Sequence, residues 1–398
     1  MLVLYRKYRP QTFAEIVGQE HVIQTLTNAI SSGIISHSYL FAGPRGSGKT
    51  TIARLLAKSL NCQRRGDTSY WLQEGRKQKS LNNTFKAPDG WEYEPCNKCD
   101  SCLEIANGNS IDLIEIDAAS HRGIDEIREL RDGIKFAPTK SKYKVFIIDE
   151  SHQLTKEASN ALLKTLEEPP GHAIFILATT EIHKMIPTII SRCQRFDFKK
   201  LTLLEIVKRL ETIAGKEKVK VEKPALELIA LNSGGSLRDG ESLLDQVLTF
   251  AGVSGGQKEI KAEDIKNLLG LVEINMVSNF CDFLIKKQAP QAIKFLNEIM
   301  DRGADLQEFA KALINYLRQS LILKITGPET TNPIITGLTK EEFQKLQNQT
   351  ASFKEEDLRK TINLFLEAEN KMKYSPIPQL PLELAIIESC ERDEPKNG

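Results

Sequence analysis

Up to residue 198 the chain alternates two patterns. One is a short, nearly continuous apolar run. It occurs at Ser38-Tyr39-Leu40-Phe41-Ala42, Ile111-Asp112-Leu113-Ile114-Glu115-Ile116-Asp117, Tyr143-Lys144-Val145-Phe146-Ile147-Ile148, Ala173-Ile174-Phe175-Ile176-Leu177-Ala178 and, more briefly, Arg195-Phe196-Asp197-Phe198. Runs of this length suit strands buried on both faces. The other pattern repeats at helical spacing: Val22, Ile23, Leu26, Ala29 and Ile30, then Ile52 to Ala57, then Ile124, Ile127, Leu130 and Ile134, then residues 156–167. Strands alternating with helices predict a parallel sheet. From residue 199 the strand pattern stops. Helices are predicted over 203–214, 225–232 and 237–250, then near 274–286, 292–300, 306–323, 354–372 and 382–392. The expected organisation is an α/β domain over 1–198, a small helical domain over 199–265 and an all-helical domain over 266–398. The last has no catalytic constellation and reads as a bundle for subunit association.

Between the first strand and the helix after it lies Gly43-Pro44-Arg45-Gly46-Ser47-Gly48-Lys49-Thr50, followed by Thr51. This is the G-x-x-x-x-G-K-[ST] loop in its proper strand–loop–helix setting, and it predicts an α/β P-loop NTPase fold. Glycines let successive N–H groups point into one concavity that receives phosphate oxygens. The helix adds the positive end of its dipole. Lys49 would reach the β- and γ-phosphates of ATP, and the Thr50 hydroxyl would ligate Mg²⁺, a hard cation that prefers oxygen. The run ending at Ile148 delivers Asp149 and Glu150 to the carboxyl edge of the sheet, where ligands bind in such folds. Asp149 would hold Mg²⁺ through water, and Glu150 would polarise the attacking water. Thr180, at the end of the next buried strand, offers a hydroxyl that can fix that water or sense the γ-phosphate.

Three further stretches admit more than one reading. The opening Tyr5-Arg6-Lys7-Tyr8-Arg9-Pro10 and the segment to Glu20 are either a surface arm or a lid over the nucleotide base, with Tyr8, Pro10 and Val17 giving apolar contact. Arg122, Arg128 and Arg131 are either a solvated face or phosphate contacts, and DNA contact is expected near Ser120 and Arg122. In Gly235-Ser236-Leu237-Arg238-Asp239, Ser236 reads as a helix N-cap. Arg238 then sits in the first turn, where a cation opposes the helix dipole unless a phosphate compensates.

The formal net charge of +1 leaves no global field for nucleic acid or membrane, so any DNA surface is a local patch. No apolar run reaches the roughly 18 to 20 residues that span a bilayer, and the basic N-terminus lacks a signal-peptide core, so a cytoplasmic protein is expected. Of seven cysteines, Cys96, Cys99 and Cys102 fall in Cys96-Asn97-Lys98-Cys99-Asp100-Ser101-Cys102. Two overlapping C-x-x-C units present three thiolates, and Cys62 is the obvious fourth ligand for Zn²⁺. A redox dithiol and an iron–sulfur cluster are the competing readings. Residues 63–95 read as an exposed excursion from the nucleotide domain, which makes 62–102 an inserted module.

The loop, Ile148-Asp149-Glu150, Ser159-Asn160-Ala161-Leu162-Leu163-Lys164-Thr165-Leu166-Glu167-Glu168-Pro169-Pro170, Ser191-Arg192-Cys193 and Gly235-Ser236-Leu237-Arg238-Asp239 together resemble the AAA+ clamp-loader ATPases. The cysteine quartet and the opening Tyr5 to Pro10 narrow the resemblance to the bacterial DNA polymerase III gamma/tau family. Its motifs run from residue 5 to 239; the last third matches by position and helical character. The resemblance implies an ATPase motor that opens a sliding clamp and closes it on primer-template DNA, with delta and delta-prime type subunits and other copies of itself as partners. It implies that Arg192 is an arginine finger for the neighbouring subunit's nucleotide, that Arg238 is the lid-domain sensor, that Thr180 is the strand-end sensor, and that the C-terminal helices form a collar. The chain departs from the family in two ways. The segment between Cys62 and Cys96 is longer than the family's usual loop, which suggests an added surface, and the chain ends without the further domains of the long tau form.

Overall fold

The computed structural model describes residues 3–64, 93–120, 133–250, 259–268, 274–301, 305–327 and 340–391. Most of the 63–95 excursion, the helix expected over 124–134 up to residue 132, and Arg122, Arg128 and Arg131 lie outside them. By its internal contacts the chain divides into a unit over Met1–Glu259 and a unit over Ile260–Gly398.

The first unit is built on β1 (Ser38–Ala42), β2 (Leu113–Asp117), β3 (Lys144–Asp149), β4 (Ala173–Thr179) and β5 (Gln194–Asp197). They form one five-stranded parallel sheet in the order β2-β3-β4-β1-β5. The runs of β1, β3 and β4 are continuous because both of their faces are covered, whereas the edge strands β2 and β5 stay partly exposed and are not buried on both faces as their runs predict. Tyr39, Phe41, Val145, Ile147, Ile174 and Ile176 face a layer supplied by α2 (Glu20–Ser32) and α3 (Lys49–Leu60), through Val22, Leu26, Ile52 and Leu56. Leu40, Phe146, Ile148, Phe175 and Leu177 face the opposite layer, where α5 (Lys156–Glu167) contributes Ala158, Leu162 and Leu166. The Phe146 and Phe175 rings stack there with centroids 5.2 Å apart. Among the described residues this part also holds the helices α4 (Asp100–Asn107) and α6 (Pro187–Ile190).

The β2 strand starts two residues later than its apolar run predicts, because Asp112 has another task. It is 2% exposed, and its carboxylate accepts the N–H groups of Thr139, Lys140 and Ser141 at 2.7, 2.9 and 2.8 Å. Burial alone would raise its pKa; those donors more than compensate and hold it below the ordinary carboxylate value. The anchored turn delivers the chain into β3.

After the sheet come α7 (Leu203–Lys216), α8 (Lys223–Asn232) and α9 (Leu237–Phe250). Thr202 and Glu205 close a capping box at the head of α7. At the head of α9 the Ser236 hydroxyl accepts the Asp239 N–H at 3.3 Å. The short N-terminal helix α1 (Leu4–Lys7) packs on α9.

The second unit is helical: α10 (Ala262–Leu268), α11 (Ile274–Ile285), α12 (Ala289–Asp301), α13 (Leu306–Thr326), α14 (Lys340–Ser352), α15 (Glu355–Met372) and α16 (Leu380–Cys390). Its core centres on Phe280, with Phe309 and Phe365 edge-on to it at 5.2 and 6.2 Å.

Candidate nucleotide site and cysteine cluster

The sheet brings its chemistry to one edge. β1 runs into the glycine loop, β3 ends at Asp149 and Glu150, and β4 ends at Thr179 next to Thr180. Gly46 has φ 72°, and a Cβ there would lie 1.9 Å from the Ser236 hydroxyl, so only glycine lets the loop pass the head of α9. Gly48, at φ 97°, turns the chain into α3. The first N–H groups of α3 are thereby aimed into the cleft.

Lys49 is 6% exposed, and its ammonium donates to the Gly43 and Pro44 carbonyls at 2.8 and 2.9 Å. Burial pulls its pKa down, against the opposing pull of the Glu150 and Asp149 carboxylates. The Thr50 hydroxyl donates to Asp149 Oδ2 at 2.7 Å, and Asp149 Oδ1 accepts the Glu150 N–H at 2.9 Å. Glu150 adopts φ 47°, a left-handed conformation costly for a residue with a side chain. That twist swings its carboxylate out of the strand direction, where Oε2 accepts the Thr180 hydroxyl at 2.8 Å and the Thr180 N–H at 3.3 Å. Residues far apart in sequence thus form one chain of hydrogen bonds, Thr50, Asp149, Glu150 and Thr180, beside the Lys49 that the loop carbonyls hold.

The cleft above them is walled by Tyr5, Arg9, Pro10, Ile16 and Val17 from the N-terminal arm, by Arg45 to Thr51 from the loop and α3, and by Leu201, Leu237, Arg238 and Glu241 beyond the sheet. It combines an apolar wall with a cationic, N–H-rich floor, which suits a molecule with an aromatic base at one end and phosphates at the other. The Arg238 guanidinium lies over the Tyr5 ring, 4.8 Å from its centroid. Glu241 is nearly buried, with Arg209 Nε 3.5 Å away; burial pushes its pKa up to about 7, and the nearby arginines Arg209 and Arg9 restrain the rise.

The thiols of Cys62, Cys96, Cys99 and Cys102 converge, with all four Sγ atoms within 4.8 Å of one another, and all four residues are buried. Cys62 follows the end of α3; Cys99 precedes the first residue of α4, and Cys102 lies within it. The Cys96 N–H points at Cys62 Sγ (3.4 Å) and the Cys99 N–H at Cys96 Sγ (3.3 Å), the arrangement that stabilises thiolates. A tetrahedral ion with metal–sulfur bonds of about 2.3 Å sets sulfurs roughly 3.8 Å apart. The quartet therefore fits one metal ion.

Curated proteins are similar to this chain over nearly all of its length. The DNA polymerase III subunit gamma of Buchnera aphidicola subsp. Acyrthosiphon pisum is 34% identical over 385 residues, covering 97% of this chain and 97% of its own. The chain belongs to the DNA polymerase III gamma and tau family. The subunit tau of Bacillus subtilis is 42% identical over 388 residues, 98% of this chain and 63% of its own length. That of Escherichia coli is 34% identical over 386 residues, covering 97% and 54%. The chain thus spans between half and two thirds of these tau relatives. Family models match in series: DNA polymerase III, delta subunit over 18–202; DNA polymerase III clamp loader subunit, ATPase lid domain over 205–253; and DNA polymerase III subunits gamma and tau domain III over 260–397. The architecture is that of an AAA+ protein: a parallel-sheet core, then a helical lid, then a helical collar.

Against that family background the placement of each expected residue is informative. Pro10, Val17, Arg45, Gly46, Ser47, Gly48, Lys49, Thr50, Thr51, Asp149, Glu150 and Arg238 line the cleft, while Gly43 and Pro44 serve it through the carbonyls that hold Lys49. Tyr8 is a correction. α1 ends at Lys7 and the chain turns, so the Tyr8 ring faces the ammoniums of Lys7 and Lys216, 5.3 and 5.6 Å from its centroid, and Tyr5 takes the cleft position. Arg192 does not line the cleft. Its guanidinium is paired with Glu167 Oε1 at 2.5 Å and donates to the Thr188 carbonyl at 2.8 Å. The Ser120 N–H, expected at DNA, is already engaged by the Asp117 carbonyl at 3.1 Å.

Sequence reasoning missed Tyr5, Arg9, Glu241 and His152. The His152 side chain is 3% exposed, with Nδ1 3.0 Å from the Thr179 hydroxyl and 3.5 Å from Glu150 Oε2. Its signal was its place two residues after Glu150. Glu241 had only its place three residues after Arg238, on the same helix face.

Proposed function

We propose that this chain is the ATPase motor subunit of a bacterial replicative clamp loader within the DNA polymerase III holoenzyme. It couples ATP binding and hydrolysis to opening of the sliding clamp and its placement on primer-template DNA, in the cytoplasm. Its partners on this reading are the clamp, delta and delta-prime type subunits and other copies of itself. The division of labour is a nucleotide-binding domain over 1–198 carrying a metal module at 62–102, a lid over 199–265 and a collar over 266–398. The observation that carries the reading is the chain of hydrogen bonds from Thr50 through Asp149 and Glu150 to Thr180 at the edge of the sheet, beside the loop that holds Lys49.

The residues divide the chemistry as follows. The loop N–H groups and Lys49 receive the phosphates. Thr50 and Asp149 would hold Mg²⁺, which screens phosphate charge when bound. Glu150 orients the attacking water, and Thr180 positions Glu150. Arg238 reports the nucleotide to the lid, and Arg192 acts on the neighbouring subunit. In the collar, Leu380, Leu384 and Ile387 leave an exposed apolar stripe along α16, which suits association with other subunits. Among the described residues no helix is long and apolar enough to cross a membrane.

The test is the ATPase rate of this chain, reconstituted with delta-type partners, with and without sliding clamp and primed DNA. Joint stimulation by both is expected. A rate indifferent to clamp but responsive to forked or four-way DNA would overturn the reading in favour of a branched-DNA motor.

The cysteine quartet is assigned to structural Zn²⁺, since four protein thiolates leave no open position for catalysis. Metal analysis of the purified chain is expected to give one zinc per chain; a chain with no zinc, or with iron and inorganic sulfide, contradicts the assignment.

A further inference from the structure

The cysteine module grips the segment that walls the nucleotide cleft. The α3 helix carries Lys49 and Thr50 at one end, and near its other end the Ser59 hydroxyl donates to the Tyr93 carbonyl. The Tyr93 ring meets Phe13 edge-on at 6.4 Å. The next residue, Glu94, uses both carboxylate oxygens on the N-terminal arm. Oε2 accepts the Phe13 N–H and Oε1 the Ala14 N–H, each at 2.9 Å. These are the leading N–H groups of the single 3₁₀ turn Phe13–Glu15, which has no side-chain cap of its own at Thr12. Glu94 therefore caps that turn from 81 residues away. A carboxylate on helix-start N–H groups is a strong, charge-assisted arrangement. A second tie runs beside it, from the buried Lys58 ammonium to Gln11 Oε1 at 2.7 Å.

What the turn holds is the cleft wall. Pro10 precedes it, Ile16 and Val17 follow it, and all three line the cleft. Two residues beyond Glu94 the chain reaches Cys96, so the four-cysteine cluster lies next to the carboxylate that holds the wall.

We propose that Glu94 is a positioning residue for nucleotide binding, the latch through which the four-cysteine module sets the Pro10–Val17 wall of the cleft. The proposal rests on reading that cleft as the nucleotide site. It makes the module a determinant of nucleotide affinity, acting through the arm and leaving the hydrolytic residues alone.

The experiment uses the full chain and its Glu94→Ala and Glu94→Gln variants. The measurements are zinc content, affinity for a fluorescent ATP analogue, kcat at saturating ATP, and hydrogen exchange of amides 13–17 without nucleotide. Glu94→Ala is expected to bind about tenfold more weakly, with faster exchange at 13–17 and with zinc content and kcat unchanged. Glu94→Gln keeps one acceptor oxygen and is expected to fall between it and the parent. Wild-type affinity in Glu94→Ala with zinc retained overturns the latch, as does a fall in kcat at unchanged affinity. If Glu94→Ala loses zinc, Glu94→Gln with zinc retained decides, and wild-type affinity there overturns it too. A parent chain that binds no nucleotide sinks the reading of the cleft itself, and the latch with it.

Discussion

Replacing Lys49 with alanine weakens binding of an ATP analogue by about 10²- to 10³-fold and leaves folding intact. Two opposing effects bear on this substitution, and burial decides between them. In the nucleotide-free chain Lys49 makes two hydrogen bonds, to the Gly43 and Pro44 carbonyls, whose loss should destabilise the loop. Yet the ammonium is buried, and burial disfavours its charge more than the nearby Glu150 and Asp149 restore it. Removing a cation that the fold already holds at a cost recovers part of what the two bonds contributed. The cleft also lets water reach the freed carbonyls. Phosphates reverse the balance, because they supply the negative charge the buried ammonium lacks. Two charge-assisted hydrogen bonds to phosphate are worth about 3 to 4 kcal/mol together, which at roughly 1.4 kcal/mol per decade gives the stated loss. Equilibrium titration with the analogue measures the affinity, and a thermal melt reports folding. Lys49→Arg should rescue little, since a planar guanidinium does not fit where a compact ammonium reaches two carbonyls. Unchanged affinity in Lys49→Ala would remove the loop from the binding site.

Thr50 and Glu150 share this logic with Lys49. Their side chains have internal partners: Thr50 donates to Asp149, and Glu150 accepts from Thr180. These half-buried side chains are thus paired within the chain, as buried polar groups generally are. The left-handed backbone at Glu150 places its carboxylate at Thr180 at a conformational cost.

The parts of this site legible in the sequence were those set by local chemistry. A glycine loop between an apolar run and a helical repeat has one physical reading, and two carboxylates after a buried strand fall at the sheet edge by geometry alone. Helices with a clean apolar face were equally legible: those expected over 156–167 and 237–250 are found at Lys156–Glu167 and Leu237–Phe250. The misses depend on packing between distant segments. α14 (Lys340–Ser352) carries few apolar residues, and part of what it buries is polar. Gln349 joins Tyr316 and Asp282 in hydrogen bonds of 2.7 Å inside the core, and such burial leaves no hydrophobic period. Tyr5 and Tyr8 are indistinguishable as side chains; which one meets the cleft follows from where α1 ends. Glu94 lies within the 63–95 excursion that reads as exposed, yet it is half-buried, and nothing local announces that its carboxylate caps a turn near the N-terminus.

Replacing Arg192 with alanine leaves nucleotide affinity of the isolated chain unchanged and lowers turnover in the assembled ring by about 10³-fold or more. Affinity is untouched because Arg192 does not line the cleft of its own chain; it lies beyond α6, held by Glu167. That pairing sets the energetic question, since on the proposed role the guanidinium would have to leave Glu167 to serve a neighbour. The pair is partly exposed, with side chains 33% and 47% accessible, so it is worth no more than about 1 kcal/mol. An arginine placed on transition-state charge contributes about 4 kcal/mol or more, the equivalent of three decades in rate. On the proposed finger role the exchange is therefore favourable wherever the neighbouring nucleotide comes within reach, and Glu167 would serve as a rest position for the fork. It follows that Glu167→Gln should change turnover by less than about fivefold while Arg192→Ala abolishes most of it. Mixing resolves where the arginine works. Rings combining Arg192→Ala chains with Lys49→Ala chains should retain activity only at interfaces where an intact loop faces an intact arginine, so turnover tracks the fraction of such interfaces. Full turnover in rings made wholly of Arg192→Ala chains would strip the residue of this role, and the Glu167 pair would then be an ordinary surface contact.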